Sequence, residues 1–233
     1  MSPSKKPFIP NELLAALPAK DYQRLERRWE EIPLVFEALI YSPNEVISDV
    51  YFPNSGIVSF VAGVNERSTL EVGLVGKEGM VGLSVFMGAK SSLNQAVVQG
   101  EGSAMKMKAT ELRKECHGGG VLRRLLERYA HSMLTQITQS AVCNQFHSMD
   151  ERLSRWLLMT QDRMGRDEFQ ITQQFLSNML GVRREGVSMA AGALQKRGLI
   201  RYSRGCLNVL DRAGLEAASC GCYEIIKRES SNP

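Results

Sequence analysis

Three consecutive glycines, Gly118-Gly119-Gly120, divide this chain into two textures. Before them, from position 40 to 107, short β-rich runs alternate with polar turns. Strands are predicted over 45–52, 57–64, 69–74, 96–99 and 103–107. Between them lie Pro53-Asn54-Ser55-Gly56, Val64-Asn65-Glu66-Arg67 and Gly76-Lys77-Glu78-Gly79. Many short strands with turns at this spacing predict a β-sandwich or β-roll. The connections are too short for the helical crossovers that a parallel sheet needs.

After the glycines the period becomes helical. Val121, Leu122, Leu125, Leu126, Tyr129, Met133, Leu134 and Ile137 recur at three- and four-residue spacing, the repeat of one helix face. No Pro or Gly interrupts Val121–Phe146, and such a run would extend for about 39 Å. That is longer than a small roll needs for cover. The stripe of Leu122, Leu125, Leu126, Tyr129, Met133 and Ile137 is therefore read as a dimer seam against a second copy. The alternative is a core helix packed on its own roll. At Ser148-Met149-Asp150-Glu151 the pattern of a capping box opens a new helix, which carries Leu153, Trp156 and Leu157 and stops near Gly165. The joint at His147-Ser148 is a candidate hinge.

Residues 170–205 carry the densest signal. Thr172 is placed to cap a helix over 173–180, with Phe175, Leu176, Met179 and Leu180 on its apolar side. Gly181 suits a left-handed turn. A second helix over 183–196 has Val187, Ala190, Ala191 and Leu194 on its inner stripe, with Ala190, Ala191 and Gly192 small enough for a close helix crossing. A hairpin follows, 199–202 and 206–209, around Ser203-Arg204-Gly205. Helix, tight turn, helix and hairpin make a winged helix-turn-helix. The charge agrees: this segment is net +5, and the remainder of a chain of net +4 is net −1. A positive excess confined to such a frame points to a polyanion. Arg184, Glu185, Ser188 and Met189 point away from the inner stripe. Arg suits the acceptors of guanine and Glu the amino group of cytosine. Thr172, Gln173, Arg183, Arg201 and Arg204 sit where backbone phosphates are met, at helix N-termini and on the wing.

These motifs resemble the Crp/Fnr family, the bacterial regulators related to the cyclic-AMP receptor protein. The resemblance runs from about residue 21 and is strongest in Arg152-Leu153-Ser154-Arg155-Trp156-Leu157-Leu158 and in 171–199, where Ile171-Thr172-Gln173-Gln174, Gly181 and Arg184-Glu185 follow the family pattern. It implies an α+β chain: an N-terminal arm (1–20), a cyclic-nucleotide-binding-type β-roll, or jelly roll (21–118), a long dimerisation helix (119–147), a winged helix-turn-helix (148–222) and a tail (223–233). It further implies a homodimer, not an enzyme, that binds double-stranded DNA at a palindromic operator, with RNA polymerase as a further candidate partner; a cytoplasmic location is expected from the cysteine usage. The alternative reading is an effector-sensing module whose winged helix serves protein contacts.

The departures from the pattern carry information. Met189 stands where the family places a third base-contacting Arg, and Arg183 replaces a capping Ser/Thr. Gly186 costs about 1 kcal/mol against Ala within a helix. Gly79-Met80-Val81-Gly82-Leu83 resembles the turn that holds the ribose, with Met80 in place of Glu, and Asn94-Gln95 falls where the phosphate-binding Arg-Ser pair belongs. Gly79, Met80, Gly82, Leu83, Asn94 and Gln95 are thus a vestigial effector pocket, and weak or no cyclic-AMP binding is expected. Residues 1–115 contain no Cys, and the first His is His117, so neither the family's iron–sulfur sensor nor roll-borne haem is expected. A roll without His also disfavours an enzyme of cupin type. No cofactor or metal is predicted, and a small-molecule effector of unknown identity is left open.

The five cysteines, an odd number at irregular spacing, read as reduced thiols. Cys220-Gly221-Cys222 is too tightly spaced for an ordinary zinc pair, with no His nearby in sequence to complete one. Free thiols are the expectation there. The Gly76–Gly82 stretch lacks the P-loop Lys-Ser/Thr and reads as a turn between strands. No run of 18 apolar residues predicts a membrane span. Pro7, Pro10, Asn11 and Glu12 break any signal-peptide core.

Overall fold

A computed structural model describes residues 8–65 and 68–230. The first seven residues of the arm, positions 66–67 of one predicted turn and the last three residues of the tail lie outside the described residues. In chain order the elements are α1 (Glu12–Ala15), α2 (Ala19–Glu26), β1 (Glu30–Leu34), β2 (Leu39–Tyr41), β3 (Asp49–Pro53), β4 (Ile57–Asn65), β5 (Ser68–Val75), α3 (Leu83–Phe86), β6 (Gln95–Gly100), β7 (Gly102–Lys108), α4 (Ala109–His117) and α5 (Val121–Phe146). They continue with α6 (Met149–Met164), β8 (Glu168–Gln170), α7 (Gln173–Leu180), α8 (Arg184–Lys196), β9 (Ile200–Ser203), β10 (Cys206–Val209), α9 (Arg212–Ala218) and α10 (Cys222–Ser230). This is a mixed fold: a β-rich N-terminal part, a long helix and a C-terminal helix-turn-helix part. No described helix is long and apolar enough to cross a membrane.

Two compact units emerge. One runs to Val58 and resumes over Val75–Ser132; the other takes Ser59–Leu74 and the chain from Met133 onward. In the first unit, β7 lies between β1 and β3, antiparallel to both, with Leu34 opposite Gly102 and Asp49 opposite Lys108. A Cβ at Gly102 would come within 2.3 Å of the Ser55 carbonyl oxygen, so the β6–β7 corner requires glycine. Val50, Phe52, Met107 and Leu112 are fully or almost fully buried beneath this sheet, each contributing roughly 1.5–3 kcal/mol. The predicted strand over 45–52 is shorter than expected. Asn44 adopts a left-handed φ of 64°, and pairing over most of the segment begins only at Asp49. Glycines 76–82 lead from β5 into a short helix, α3, rather than into another strand.

α5 has the predicted bounds, but its stripe has a different partner. Leu122, Leu125, Leu126, Tyr129 and Met133 are all at most 4% exposed within the single chain. The Tyr129 hydroxyl donates to the Met80 carbonyl at 3.2 Å. These five side chains are therefore core, and they are not free to form a seam with a second copy. Periodicity identifies the apolar face of a helix without identifying what covers it. Only Ile137 of the six is half-exposed. The large apolar side chains that α5 leaves to solvent are Leu134, Val142 and Phe146.

In the second unit α6 is the central post. Ser148 caps it as predicted: its Oγ accepts from Glu151 N, and Glu151 Oε2 accepts from Ser148 N at 2.7 Å. These bonds hold the Glu151 carboxyl below its ordinary pKa. Leu153, Trp156, Leu157 and Leu158 are buried along α6, against which α8, α9 and α10 pack. Arg212 of α9 bonds Gln161 and Asp162 of α6 and the Tyr223 hydroxyl of α10. The residues set apart as a tail thus include α10, pinned through Tyr223 and Ile226, which are buried.

Candidate nucleic-acid interface

α7 begins where sequence chemistry says it should: Thr172 Oγ1 accepts from Phe175 N at 3.0 Å, satisfying one of the free N–H groups of the first turn. It ends at Gly181, whose φ is 62° and whose Cβ, if present, would meet the Leu70 side chain at 2.9 Å. Both conformation and space call for glycine. Arg183 is the N-cap of α8 without a capping bond from its side chain. Val187, Ala190, Ala191 and Leu194 are buried. Gly192 meets nothing within 4 Å at its Cβ position, so it plays no part in the close crossing; nothing in the packing requires glycine at Gly186 either.

The outward face of α8 is tied to the start of α7. Gln173 Oε1 accepts from Arg184 Nε at 3.2 Å and from Ser188 Oγ at 2.9 Å. Arg184 is thereby tied to the first residue of α7, at a helix N-terminus, where helix dipole and unpaired N–H groups favour an anion. The wing is locked to the same place. Tyr202 OH donates to the Ile171 carbonyl at 2.9 Å, Ile171 N donates to the Gly205 carbonyl at 2.7 Å, and Tyr202 N donates to Gln195 Oε1 of α8 at 2.8 Å. Burial pushes the Tyr202 phenol up to about 12, with Arg184 opposing the shift, so Tyr202 is a neutral donor at any physiological pH. Ser203 and Cys206 pair across a two-residue loop, Arg204-Gly205, with φ of 51° and 77°. Two positive φ values in a row match the twist of a tight hairpin. They place an arginine in a conformation that costs about 1–2 kcal/mol for a non-glycine residue.

An open cleft of about 390 Å³ is lined by Thr172, Gln173, Arg184, Tyr202, Ser203, Arg204 and Gly205. The fold brings together four of the residues singled out above, Thr172, Gln173, Arg184 and Arg204, and adds the wing residues Tyr202, Ser203 and Gly205. Arg183 and Glu185 line a neighbouring cleft of about 1040 Å³ with Arg152, Gln174 and Asn178. Met189 is 77% exposed, and Arg201 is exposed on β9; neither lines the smaller cleft. The sequence signal for Tyr202 is the single aromatic of the short strand Ile200-Arg201-Tyr202-Ser203, placed between two polar residues.

The Gly79–Leu83 turn is built in the opposite sense. Met80 is fully buried. A Cβ on Gly79 would collide with the Tyr129 ring at 2.4 Å, and Asn11 Nδ2 donates to the carbonyls of Pro53 and Gly79. At Gly82, φ is 94° and a Cβ would press on Val50; Leu83 is buried at the start of α3. Asn94 and Gln95 are half-exposed and neutral.

A separate cluster joins parts of the chain far apart in sequence. Cys143, His147, Cys220 and Cys222 place their ligand atoms within 4.8 Å of one another. The expectation that no His lies near the Cys220/Cys222 pair is overturned by the fold, which brings up His147 together with Cys143.

The helix-turn-helix class, reached from geometry, is borne out by comparison: residues 151–218 match the Crp-like helix-turn-helix domain. Across nearly the whole chain, the fold is that of solved Crp/Fnr regulators. A protein from Eubacterium rectale assigned to the Crp/Fnr family of transcriptional regulators superposes with a TM-score of 0.71 at 17% identity, covering 89% of this chain and 97% of that one. FixK2 from Bradyrhizobium japonicum gives 0.70 at 17% identity, covering 83% and 98%. CLP from Xanthomonas campestris, a c-di-GMP-responsive global regulator, gives 0.66 at 16% identity, covering 82% and 99%. No curated protein sequence matches the chain.

Proposed function

We propose that this chain is a DNA-binding transcription regulator of the Crp/Fnr type, a cytoplasmic protein that acts without catalysis. α8 lies in the major groove, Arg184, Glu185, Ser188 and Met189 face base edges, and Thr172, Gln173, Arg183, Arg201 and Arg204 meet backbone phosphates. The observation that carries this reading is the Gln173–Arg184–Ser188 triplet beside the wing. It holds a guanidinium outward at a helix N-terminus, within one cleft that also contains Arg204. An enclosed or apolar α8 face would have served packing instead.

The active form in this reading is a homodimer on a two-fold-symmetric site, with recognition helices about 34 Å apart. The seam is assigned to the outward strip of α5: Ala130, Leu134, Ile137 and Ala141, spaced 4-3-4 and half-exposed to exposed, the repeat of a two-helix seam. Met80 fills its turn with side chain where an effector ribose would sit. Cyclic AMP is accordingly not the signal, and calorimetry should detect no micromolar binding. Any effector acts elsewhere on the roll and reaches α8 by way of the His147-Ser148 joint; a chain without one would be controlled by its abundance.

Selection from randomised duplexes, followed by gel shift at two salt concentrations, tests the reading. The expected result is an inverted-repeat site whose binding weakens steeply with salt. Absent binding, or binding indifferent to salt, would favour a winged helix that serves protein contacts.

A further inference from the structure

We propose that Cys143, His147, Cys220 and Cys222 form a site for a single tetrahedral, thiophilic divalent metal ion of the zinc class. Cys143 and His147 are four residues apart at the end of α5, so they project from one side of the helix. Cys220 and Cys222 bracket the α9–α10 joint, with Cys222 opening α10. Cys143 Sγ lies 3.5 Å from Cys220 Sγ, and Cys222 Sγ lies 3.7 Å from His147 Nδ1. With Zn–S bonds near 2.3 Å, a tetrahedral site has S···S edges of about 3.8 Å. The measured separations are close to that, and all six pairs fall within 4.8 Å. Three soft sulfurs and one imidazole are a donor set for zinc or a chemically similar ion, and not for magnesium or calcium.

Burial and charge point the same way. The three thiols form a buried cluster of their own, and His147 is half-exposed, which leaves an entry side. Three thiolates around a divalent ion carry a net charge of −1, which a low-dielectric site must offset. Arg155 is 6% exposed, within electrostatic reach of both Cys143 and Cys222, and its Nε is buried without a hydrogen-bond partner. A guanidinium in that position suits an anionic metal–thiolate centre. Its scaffold is stiff: Arg212 and Tyr223 clamp α9 and α10 onto α6 on either side of the cysteine pair. Loading the site would tie the last turn of α5 to the α9–α10 joint across the His147-Ser148 break. The proposal is independent of the DNA reading, since DNA binding could fail without altering it.

Cobalt titration of the reduced, chelator-treated full chain is the test. One Co²⁺ per chain should bind with the visible bands and sulfur-to-metal charge-transfer absorption of tetrahedral thiolate coordination, and one equivalent of Zn²⁺ should bleach them. Cys143→Ser, Cys220→Ser and Cys222→Ser should each weaken binding at least about tenfold, the low end of what is lost when even an outer partner of a metal site is removed. Cys116→Ser and Cys206→Ser should leave it unchanged. Should the first three variants fold poorly, alkylation of the wild-type chain mapped by mass spectrometry decides: one equivalent of Zn²⁺ should slow labelling of Cys143, Cys220 and Cys222 at least about tenfold and leave Cys206 unaffected. A wild-type chain without visible bands, bands that survive in Cys220→Ser and Cys222→Ser, or labelling indifferent to zinc would overturn the proposal.

Discussion

The α7–α8 pair and the Gly79–Leu83 turn are both tight, glycine-punctuated segments, yet they dispose of their side chains in opposite ways. α8 satisfies its packing with Val187, Ala190, Ala191 and Leu194 alone, so Arg184, Glu185 and Ser188 remain outside. The Gly79–Leu83 turn has no such division. Met80 goes inward, the Tyr129 ring closes over Gly79, and Asn11 satisfies the buried Gly79 carbonyl. A segment stays available to a ligand when its buried half is complete without its polar half. It closes when its own neighbours fill the space.

The sharpest way to break this contrast is Tyr129→Ala. Removing a ring that is 4% exposed should cost about 3–5 kcal/mol in urea unfolding, whereas Arg184→Ala should change stability by less than about 0.5 kcal/mol. Equal costs would mean that the two segments are not different in kind. Next in size is a pH effect in the second unit. Glu71 accepts from Ser59 Oγ at 2.8 Å and from Trp156 Nε1 at 2.9 Å. Burial pushes its carboxyl up to about 7, against these bonds and the charges of Arg155 and Arg163. A carboxyl raised on folding stabilises fully below its unfolded pKa, near 4.5, and that contribution is lost as pH rises through 7. The loss by pH 8 is on the order of 3 kcal/mol. Urea midpoints should therefore fall from pH 5 to pH 8, and Glu71→Gln should flatten that slope.

Arg184→Ala should cost about 1–3 kcal/mol in affinity for the selected duplex and relax preference at one base position, read by gel shift against point-substituted sites. The smallest effect has two opposite signs. Arg204→Gly relieves a left-handed arginine and should raise stability by up to about 1 kcal/mol, while DNA affinity falls through loss of a phosphate contact. A variant whose affinity does not fall would separate Arg204 from the interface, and one that loses stability would show that the left-handed arginine is not strained.

Local chemistry made much of this legible in advance. α5, α6, α7 and α8 announce themselves through uninterrupted period, a Ser148/Glu151 box, a Thr172 cap and Gly181, all signals contained within a few residues. β1, β2, β8 and α4 did not. β1 contains Pro33 and buries little besides Leu34, while β2 and β8 are three residues long. Such strands exist only because a partner pairs with them. The same limit applied to sites. The residues of the small cleft come mostly from one contiguous segment, so their chemistry was readable. The Cys143–His147 and Cys220–Cys222 pairs lie more than 70 residues apart, and each alone is an unremarkable fragment of helix or loop.

Gln173 also aims the arginine. Its amide oxygen takes only the Nε hydrogen of Arg184, beside the Ser188 hydroxyl, and a guanidinium carries four further N–H donors on its terminal nitrogens. In the proposed complex those donors would meet the two acceptors on the groove edge of a guanine with the side chain already positioned by the amide. Selectivity at this position would then owe as much to ordering achieved before contact as to the bonds made on contact.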